Sequence, residues 1–322
     1  MRLTRDKRPV LRIVGRSGFM PHSSVSSASH PRGAMLCVLA IVIVAAGIPR
    51  SGQAWGPKAI AVIAQVAQDR LSPSGLSSLQ ALLPAGVDLA GAILRANEML
   101  VRNGSSTSWQ YSTSVKSHQV ICIMDSLPAT CLVELLRAEF LKAQDAGQSV
   151  DSRFRSLCCT ARFLVDIHDP FQCLTSRDDS GLALWTLFAG LDRVSGSVTF
   201  SNAWDRIADQ VSSPGTKVVA KRLGRAITPS VDDKWTNPNA LLEDWASESH
   251  LLAVDLIRLA QPSQPGSTAK QAHLPMGFRA QQIPTVKEQM EKAGVRLAFA
   301  LEAMFYVPTP DDEARESATT WH

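Results

Sequence analysis

The chain has 322 residues, of which 45% are hydrophobic and 19% are charged. It therefore has enough apolar residues for one large domain or two small ones, and its composition excludes a largely disordered protein. Eight of its 33 basic residues and one of its 29 acidic residues lie in residues 1–54, so the remainder has a net charge of −3. The formal total of +4 says nothing about nucleic-acid binding. No basic stripe with interleaved aromatic residues stands out after residue 54.

Residues 1–54 have the order of a secretory leader. A basic segment precedes an unbroken apolar run, Ala34–Ile48, which is followed by small residues ending at Ala54. The run has about 15 residues, whereas a membrane span needs about 20, so an uncleaved anchor is the alternative and cleavage after Ala54 is the expectation. We predict a secreted or exported protein (periplasmic, extracellular or in a secretory lumen), with Met20 as a possible second start.

From Trp55 onward, apolar residues recur mostly at helical spacing, which predicts an all-α domain over residues 55–322 with one small β-hairpin excursion. The predicted helices are Lys58–Leu71, Asp88–Val101, Ala129–Ala146, Asp151–His168, Ala203–Val211, Pro238 to about Leu259, and Gln282–Phe305. The predicted hairpin pairs Leu182–Phe188 with Ser197–Phe200. Pro214–Asn237 is predicted as a loop, Gln261–Gln271 as a linker and the residues from Pro308 as a frayed tail.

Five cysteines follow the leader, and an exported chain can form disulfides. Cys122 and Cys131 flank a Leu-Pro turn and make the most plausible pair. The odd number leaves at least one thiol free or joined to another chain. The doublet Cys158 and Cys159 falls on a predicted helix, where small buried residues are the expected role. Asn103 begins a three-residue glycosylation sequon, which is a weak signal.

The most informative stretch is Ala161–Gln172, where an apolar helical run ends in an acid, a histidine and a proline. Asp166 directly follows three apolar residues, so a helix would carry it into the interior. A buried carboxylate is costly unless it is paired or binds a metal. Arg162 lies one helical turn earlier and is the expected partner. A helix end with a paired aspartate is the plain structural alternative to a site.

Several stretches taken together resemble the S1/P1 nuclease family, the secreted zinc-dependent single-strand-specific nucleases. They occur in the family's order over about residues 55–306: Trp55–Ala67, Arg95–Glu98, Ser108–Tyr111, Phe163–Gln172, Asp179–Gly181, Ala203–Asp205, Trp245–His250 and Ala293–Ala298. The resemblance implies a helical fold of the phospholipase C/P1 nuclease type and hydrolysis of single-stranded DNA or RNA and of 3′-nucleotides.

The resemblance also implies a centre of three zinc ions, held by an N-terminal tryptophan, five histidines and three aspartates. Trp55, Asp166 and Asp205 match ligand positions of that centre, and removal of the leader would free the Trp55 amine as a ligand. Asn97 stands where the family has an aspartate often given a role in positioning the attacking water. His168 matches a residue of the family motif that is not a ligand, so we expect a core histidine or one that supports the ligands.

The other ligand positions have changed. All five histidine positions are substituted, by Ile60, Gln110, Arg162, Gln172 and Ser201; for Arg162 the alternative is that the turn carrying the family histidine has been deleted. Isoleucine binds no metal, amide oxygens are weak ligands for zinc, and an arginine repels a dication. The sequence therefore predicts a degenerate, metal-poor pseudo-nuclease, whose zinc is reduced or absent and whose nucleic-acid or nucleotide partner is implied by the resemblance alone.

Three other interpretations remain. An active nuclease or 3′-nucleotidase with a rebuilt metal site would need other ligands, for which Glu98 and Asp178–Asp179 are candidates. The related zinc-dependent phospholipase C class shares the N-terminal tryptophan and suffers the same losses. An unrelated helical domain is the last. Several histidines or carboxylates converging around Asp166 and Asp205 would favour the active enzyme.

Overall fold

The computed structural model describes residues 55–102, 113–116, 119–122, 132–173, 185–187, 197–237, 240, 242–259, 261–262, 271–273, 275 and 277–306. Their helices are α1 (Pro57–Gln68), α2 (Pro73–Leu82), α3 (Leu89–Arg102), α4 (Leu132–Gln144), α5 (Val150–Asp166), α6 (Phe200–Ser212), α7 (Thr216–Ala226), α8 (Pro229–Trp235), α9 (Leu242–Arg258) and α10 (Phe278–Phe305). A single 3-10 turn, Pro170–Cys173, follows α5. The predicted all-α class is confirmed.

The strands are short, with two to four residues each, and they account for few of the described residues. They are β1 (Thr113–Lys116), β2 (Gln119–Cys122), β3 (Trp185–Leu187), β4 (Ser197–Thr199), β5 (Gln261–Pro262) and β6 (Gln271–His273). β1 and β2 form an antiparallel pair, and a second sheet has the order β4-β3-β6-β5. The predicted hairpin corresponds to the antiparallel pairing of β3 with β4, and Phe200 begins α6 instead of ending the strand.

The prediction of a loop over Pro214–Asn237 is wrong, because this segment forms α7 and α8. Pro214, Gly215 and Pro229 lie at helix starts, and Gly224 lies inside α7 without interrupting it. Gly215, with φ +105°, is the N-cap of α7, a left-handed conformation that favours glycine. Pro229 occupies the first turn of α8, where its missing N–H leaves no intrahelical bond unmade. Thr228 caps α8 by accepting a hydrogen bond from the Val231 N–H.

Two predicted helix starts also shift. The penultimate helix begins at Leu242 and not at Pro238, which lies outside the described residues. α10 begins four residues before the predicted Gln282 and includes Pro284 in its second turn. α2 has no counterpart in the prediction, although Ser72 caps it by accepting a hydrogen bond from the Gly75 N–H.

α10 is the helix around which the others pack, since it contacts α1, α2, α4, α5, α6, α7 and α8. Its closest approach is to α1 at Gly294, where a Cβ atom would lie 2.6 Å from Val66 Cγ1. Any larger residue there would force the two helices apart, so glycine is required. The largest fully buried side chains include Trp55, Trp204 and Trp245. No helix in the described part of the chain is both long and apolar enough to cross a bilayer.

The cysteine predictions divide into two groups. Cys158 and Cys159 are buried free thiols, as expected of small core residues. Burial raises the pKa of each to about 12, so neither is a reactive thiolate at neutral pH. Cys131, the sequon at Asn103, the leader and the tail from Pro308 lie outside the described residues, and the Cys122–Cys131 pair remains a prediction.

A candidate site of buried carboxylates

Trp55 joins the start of the described chain to the end of α5. Its side chain is fully buried, and its indole N–H donates a hydrogen bond to the Val165 carbonyl oxygen at 3.0 Å. The ring centroid lies 6.2 Å from that of Trp204 on α6. The residue before α1 is thus held between α5 and α6, which carry the other two predicted site residues, Asp166 and Asp205.

The predicted pair of Arg162 with Asp166 is present. Arg162 Nε donates to Asp166 Oδ2 at 2.8 Å, and the two side chains are 2% and 7% exposed. Burial raises the pKa of Asp166, and the guanidinium of Arg162 opposes that rise. The pairing is incomplete, because Arg162 Nη1 and Asp166 Oδ1 are buried with no hydrogen-bond partner within the described residues.

Asp169 is an acid that the sequence reasoning did not select. It follows α5 within one turn and is fully buried, and its Oδ1 accepts a hydrogen bond from the Phe171 N–H at 2.9 Å. Its other oxygen, Oδ2, has no partner among the described residues. Burial raises the pKa of Asp169 well above its ordinary value, and the nearby charge of Asp205 raises it further.

Asp205 and Asp209 lie one turn apart on α6. Burial raises the pKa of Asp205 well above its ordinary value, and the charge of Asp209 adds to the effect. Asp209 reaches the start of α1, since a Cβ atom on Gly56 would lie 2.7 Å from Asp209 Oδ1. One oxygen of each of these two acids lacks a partner in the described part of the chain.

We call these four acids the carboxylate cluster: Asp166, Asp169, Asp205 and Asp209. The charges of Asp166 and Asp205 raise the pKa of Asp169, and those of Asp209 and Asp166 raise the pKa of Asp205. Arg162 is a cation that acts on three of the four acids. Like charges in a low-dielectric interior favour protonation of some members. The cluster therefore combines one buried ion pair with acids that bind protons more tightly than usual.

Of the substituted ligand positions and alternative ligands not yet placed, the structure describes the side chains of Ile60, Gln172 and Ser201. Ile60 is a core residue of α1, while Gln172 in the 3-10 turn and Ser201 on α6 are partly exposed. Asn97 lies on α3, and its side chain is outside the described part of the structure. The side chain of Glu98 is likewise outside the described part. Gln110 and Asp178–Asp179 lie wholly outside the described residues.

His168 is committed to a different network. Its Nε2 accepts a hydrogen bond from Arg296 Nη1 at 3.1 Å, so the ring proton is on Nδ1, which donates to the Leu164 carbonyl oxygen at 2.8 Å. Burial and the charge of Arg296 hold the pKa of His168 well below its ordinary value. Both ring nitrogens are in use, which agrees with a core histidine and leaves neither for a metal.

Arg296 completes that network. Its Nε donates to the Trp235 carbonyl oxygen at 3.1 Å, and its Nη2 donates to Glu248 Oε1 at 2.9 Å. The guanidinium carbon lies 4.8 Å from the centroid of the Trp245 ring, within the range of a cation–π contact. One buried arginine on α10 thus ties together α5, α8 and α9.

The residues present do not fit a centre of three zinc ions. Arg162 occupies the space beside Asp166, and at about 4 Å from a dication its repulsion would be about 8 kcal/mol at an effective dielectric of 20. Imidazole nitrogen, the usual partner of carboxylate at zinc, is engaged elsewhere in the case of His168. Among the described residues, no group of three or more histidine, cysteine or acidic side chains has metal-binding geometry.

The fold and this site define a class: a multi-helix domain with a buried tryptophan before its first helix and interacting acids on α5, just after α5, and on α6. The model of one family, S1/P1 Nuclease, matches residues 55–306. The chain belongs to the S1/P1 nuclease family, which confirms the resemblance inferred from the motifs. That family is zinc-dependent, acts on single-stranded nucleic acid and is generally secreted. No curated protein matches the chain.

Proposed function

We propose that this protein is a pseudo-nuclease of the S1/P1 family, in which a buried ion pair replaces the zinc centre. The contact of Arg162 with Asp166 is the observation that carries the proposal. In this proposal the guanidinium neutralises the acid that zinc neutralises in the active members. The scaffold is retained, and efficient zinc-dependent phosphodiester hydrolysis is lost.

The proposal also fits the way the residues of α5 are used. Asp166 keeps the position of a family ligand, but its Oδ2 is bonded to Arg162. His168 keeps its position in the motif and bonds Arg296 instead of a second acid or a metal. Ile60, at a family histidine position, is fully buried in apolar surroundings. Asp166 and His168 each bond an arginine and Ile60 packs in the core, which supports a site that works without a metal.

The test is the metal content of the purified chain starting at Trp55, together with its hydrolysis of a single-stranded oligonucleotide in added zinc. We expect less than one zinc per chain, because Arg162 occupies the space beside Asp166. We also expect cleavage at least 1,000-fold slower than that of an active family member, a factor that corresponds to about 4 kcal/mol of lost transition-state stabilisation. Three zinc ions per chain with rapid cleavage would overturn the proposal.

One substitution sharpens the same test. Arg162→His returns an imidazole to the position that the family uses and removes the repulsive charge. We expect this variant to take up more zinc than the parent chain, whereas Arg155→His, on the exposed side of the same helix, changes zinc content little. Equal uptake by the parent and by the Arg162→His variant would mean that Arg162 does not control metal binding.

A second candidate function rests on the carboxylate cluster itself. Four acids with unpartnered oxygens are oxygen donors, which suit Mg²⁺, Mn²⁺ or Ca²⁺ better than zinc. An active nuclease or 3′-nucleotidase with a rebuilt centre would use these acids. Cleavage that requires one of these ions and is absent with zinc alone would favour this candidate, and loss of that cleavage in Asp205→Asn would assign it to the cluster.

The export of the protein is part of the proposal. Family members are generally secreted, and the leader pattern of residues 1–54 supports cleavage after Ala54. Amino-terminal sequencing of the exported protein checks this, with Trp55 expected as the first residue. A mature protein that keeps Ala34–Ile48 would support the membrane anchor instead.

A further inference from the structure

α7 has an unusually one-sided charge. Of its eleven residues four are basic and none is acidic, and all four cations are exposed: Lys217, Lys221, Arg222 and Arg225. They occupy positions i, i+4, i+5 and i+8, which share one face of a helix. The opposite face, with Val219, Ala220 and Leu223, is buried. The basic face, defined as these four cations, is therefore directed to solvent while the apolar face is already packed.

The basic face differs from the exposed cations that pair with an acid on their own helix. In the contacts of Arg155 with Asp151 and of Arg258 with Asp255, an acid one turn away neutralises the charge. No such partner accompanies the four cations of α7 in the part of the chain that the structure describes. A helix of like charges without counter-ions is self-repelling, so its charge needs an explanation other than stability.

The basic face also differs from the chain as a whole. Residues 55–322 have a net charge of −3, so four uncompensated cations in eleven residues do not follow from general basicity. α7 packs against α1, the helix that begins beside the carboxylate cluster. It directly follows α6, which carries Asp205 and Asp209. The basic face is thus carried by a helix that packs against both α1 and α6.

We propose that the basic face of α7 binds the phosphate backbone of single-stranded nucleic acid. The choice of this polyanion rests on the family-level part of the proposed function, and the binding itself does not depend on hydrolysis. Lys217, Lys221 and Arg225 follow one another at about 6 Å along the axis, from the rise of 1.5 Å per residue. A row of cations at this spacing can contact successive phosphates of an extended strand, and such contacts do not depend on base sequence.

An anionic membrane is the competing class of polyanion. A helix that binds a bilayer surface inserts an apolar face below the headgroups, but the apolar face of α7 is buried against the protein. Val218 is the exposed apolar side chain on this helix, with 55% of its surface accessible. One valine among four cations gives too little apolar area for insertion, which favours the nucleic-acid backbone.

The test uses the whole chain from Trp55 and a fluorescent oligothymidylate, with binding followed by fluorescence anisotropy between 50 and 300 mM salt. The variant Lys217→Gln/Lys221→Gln/Arg225→Gln removes three of the four charges and keeps good helix formers. We expect at least a tenfold loss of affinity at the lowest salt. We also expect the slope of log K against log salt to fall by about 2, since each phosphate contact on a single strand contributes about 0.7.

A matched control variant removes the same charge elsewhere. Lys142, Arg155 and Arg258 are exposed by 56%, 63% and 75% and each pairs with an acid on its own helix. Their triple change to glutamine should leave the salt slope within about 0.5 of the parent value, because these cations contact no phosphate in the proposal. An equal loss in both variants would reduce the effect to net charge and overturn the assignment to α7.

Other outcomes are equally decisive. Absence of binding by the parent chain, or an unchanged salt slope in the α7 variant, would overturn the proposal. Tighter binding to phosphatidylserine vesicles than to the oligonucleotide, lost in the same variant, would assign the face to membranes. A gel of the oligonucleotide after each titration reports cleavage separately, so a failure of the pseudo-nuclease proposal is distinguishable from a failure of this one.

Discussion

Two arginines, Arg162 on α5 and Arg296 on α10, are each 2% exposed, yet their surroundings differ. Arg296 uses all three of its nitrogens, on His168, Trp235 and Glu248. Arg162 donates to Asp166 through Nε, while its Nη1 has no partner within the described residues. The hydrogen bonds of Arg296 are complete, whereas those of Arg162 are not, although four acids interact electrostatically in its region.

The two regions also differ in how their charges are balanced. The Arg296 network joins four helices and contains one acid, Glu248, which is 43% exposed and can reach water. The Arg162 region contains four acids for one cation, and proton binding by Asp169 and Asp205 offsets the excess of charge. Every guanidinium nitrogen of Arg296 is bonded, whereas one oxygen of each acid in the carboxylate cluster has no partner within the described residues.

The largest expected effect comes from removing the cation of the cluster. Arg162→Met leaves Asp166 buried without a counter-charge, and breaking a buried pair in this way costs about 3–5 kcal/mol. We expect that loss in the free energy of unfolding at neutral pH, measured by urea denaturation. Arg155→Met, which removes an exposed partner on the same helix, should change it by less than about 0.5 kcal/mol.

A double variant separates the charge from the packing. Arg162→Met with Asp166→Leu removes both charges of the pair, and replacing a buried ion pair by apolar residues is often neutral or stabilising. It should therefore recover most of the loss. A double variant that is less stable than Arg162→Met would contradict the view that the unpaired acid causes the damage.

Removing the second arginine should have a smaller effect. Arg296→Met deprives His168 and the Trp235 carbonyl of a donor, but Glu248 is partly exposed and remains solvated. Loss of hydrogen bonds to a charged group predicts a decrease of about 2–3 kcal/mol in the free energy of unfolding. A decrease larger than that of Arg162→Met would reverse the comparison and make the Arg296 network the more demanding of the two.

The sequence was sufficient for what depends on local spacing. The contact of Arg162 with Asp166 was predictable because the residues are four apart on one helix. Asp169 and Asp209 were missed, although each lies three or four residues from a selected acid, Asp166 or Asp205, and helical spacing from those acids would have found them. No local pattern predicts that Trp55 contacts both α5, through the Val165 carbonyl, and α6, through Trp204, because those contacts depend on tertiary packing.

Two further errors have different physical origins. The prediction of a loop over Pro214–Asn237 rests on the segment's content of proline, glycine, serine and charge. In the structure Gly215 occupies the N-cap of α7 and Pro229 the first turn of α8. The basic face of α7 was hidden for the same reason, since four cations in a loop share no face. The contact of Arg296 with His168 joins residues 128 positions apart, and neither local sequence predicts it.

Trp55 provides a test of intermediate size. Trp55→Phe keeps most of the buried ring and removes the hydrogen bond from the indole N–H to the Val165 carbonyl oxygen. That carbonyl becomes a buried acceptor with one partner fewer, so we expect a loss of about 1–2 kcal/mol in chemical denaturation. Trp235→Phe is a useful comparison, because it alters a buried tryptophan remote from the cluster. Equal losses in both variants would attribute the effect to ring size alone.

The smallest expected effect has the opposite sign and depends on pH. The pKa of Asp205 is raised in the folded state, so above about pH 4 the folded chain binds more protons than the unfolded chain, and stability falls as the pH rises. Asp205→Asn removes this charge. At neutral pH, with a chelator present, the variant should be more stable by about 1 kcal/mol, which corresponds to a rise in Tm of about 2–4 °C.

That gain should shrink as the pH falls towards 4 and disappear below about pH 3, where Asp205 is protonated in both states and the parent chain no longer loses stability. Asp255→Asn, at an exposed acid of α9, should show no comparable change with pH. A lower Tm for Asp205→Asn in chelator at neutral pH would mean that the charge of Asp205 stabilises the fold. That result would contradict the comparison of the two arginine regions, because the negative charge of the carboxylate cluster would not be in excess of what Arg162 neutralises.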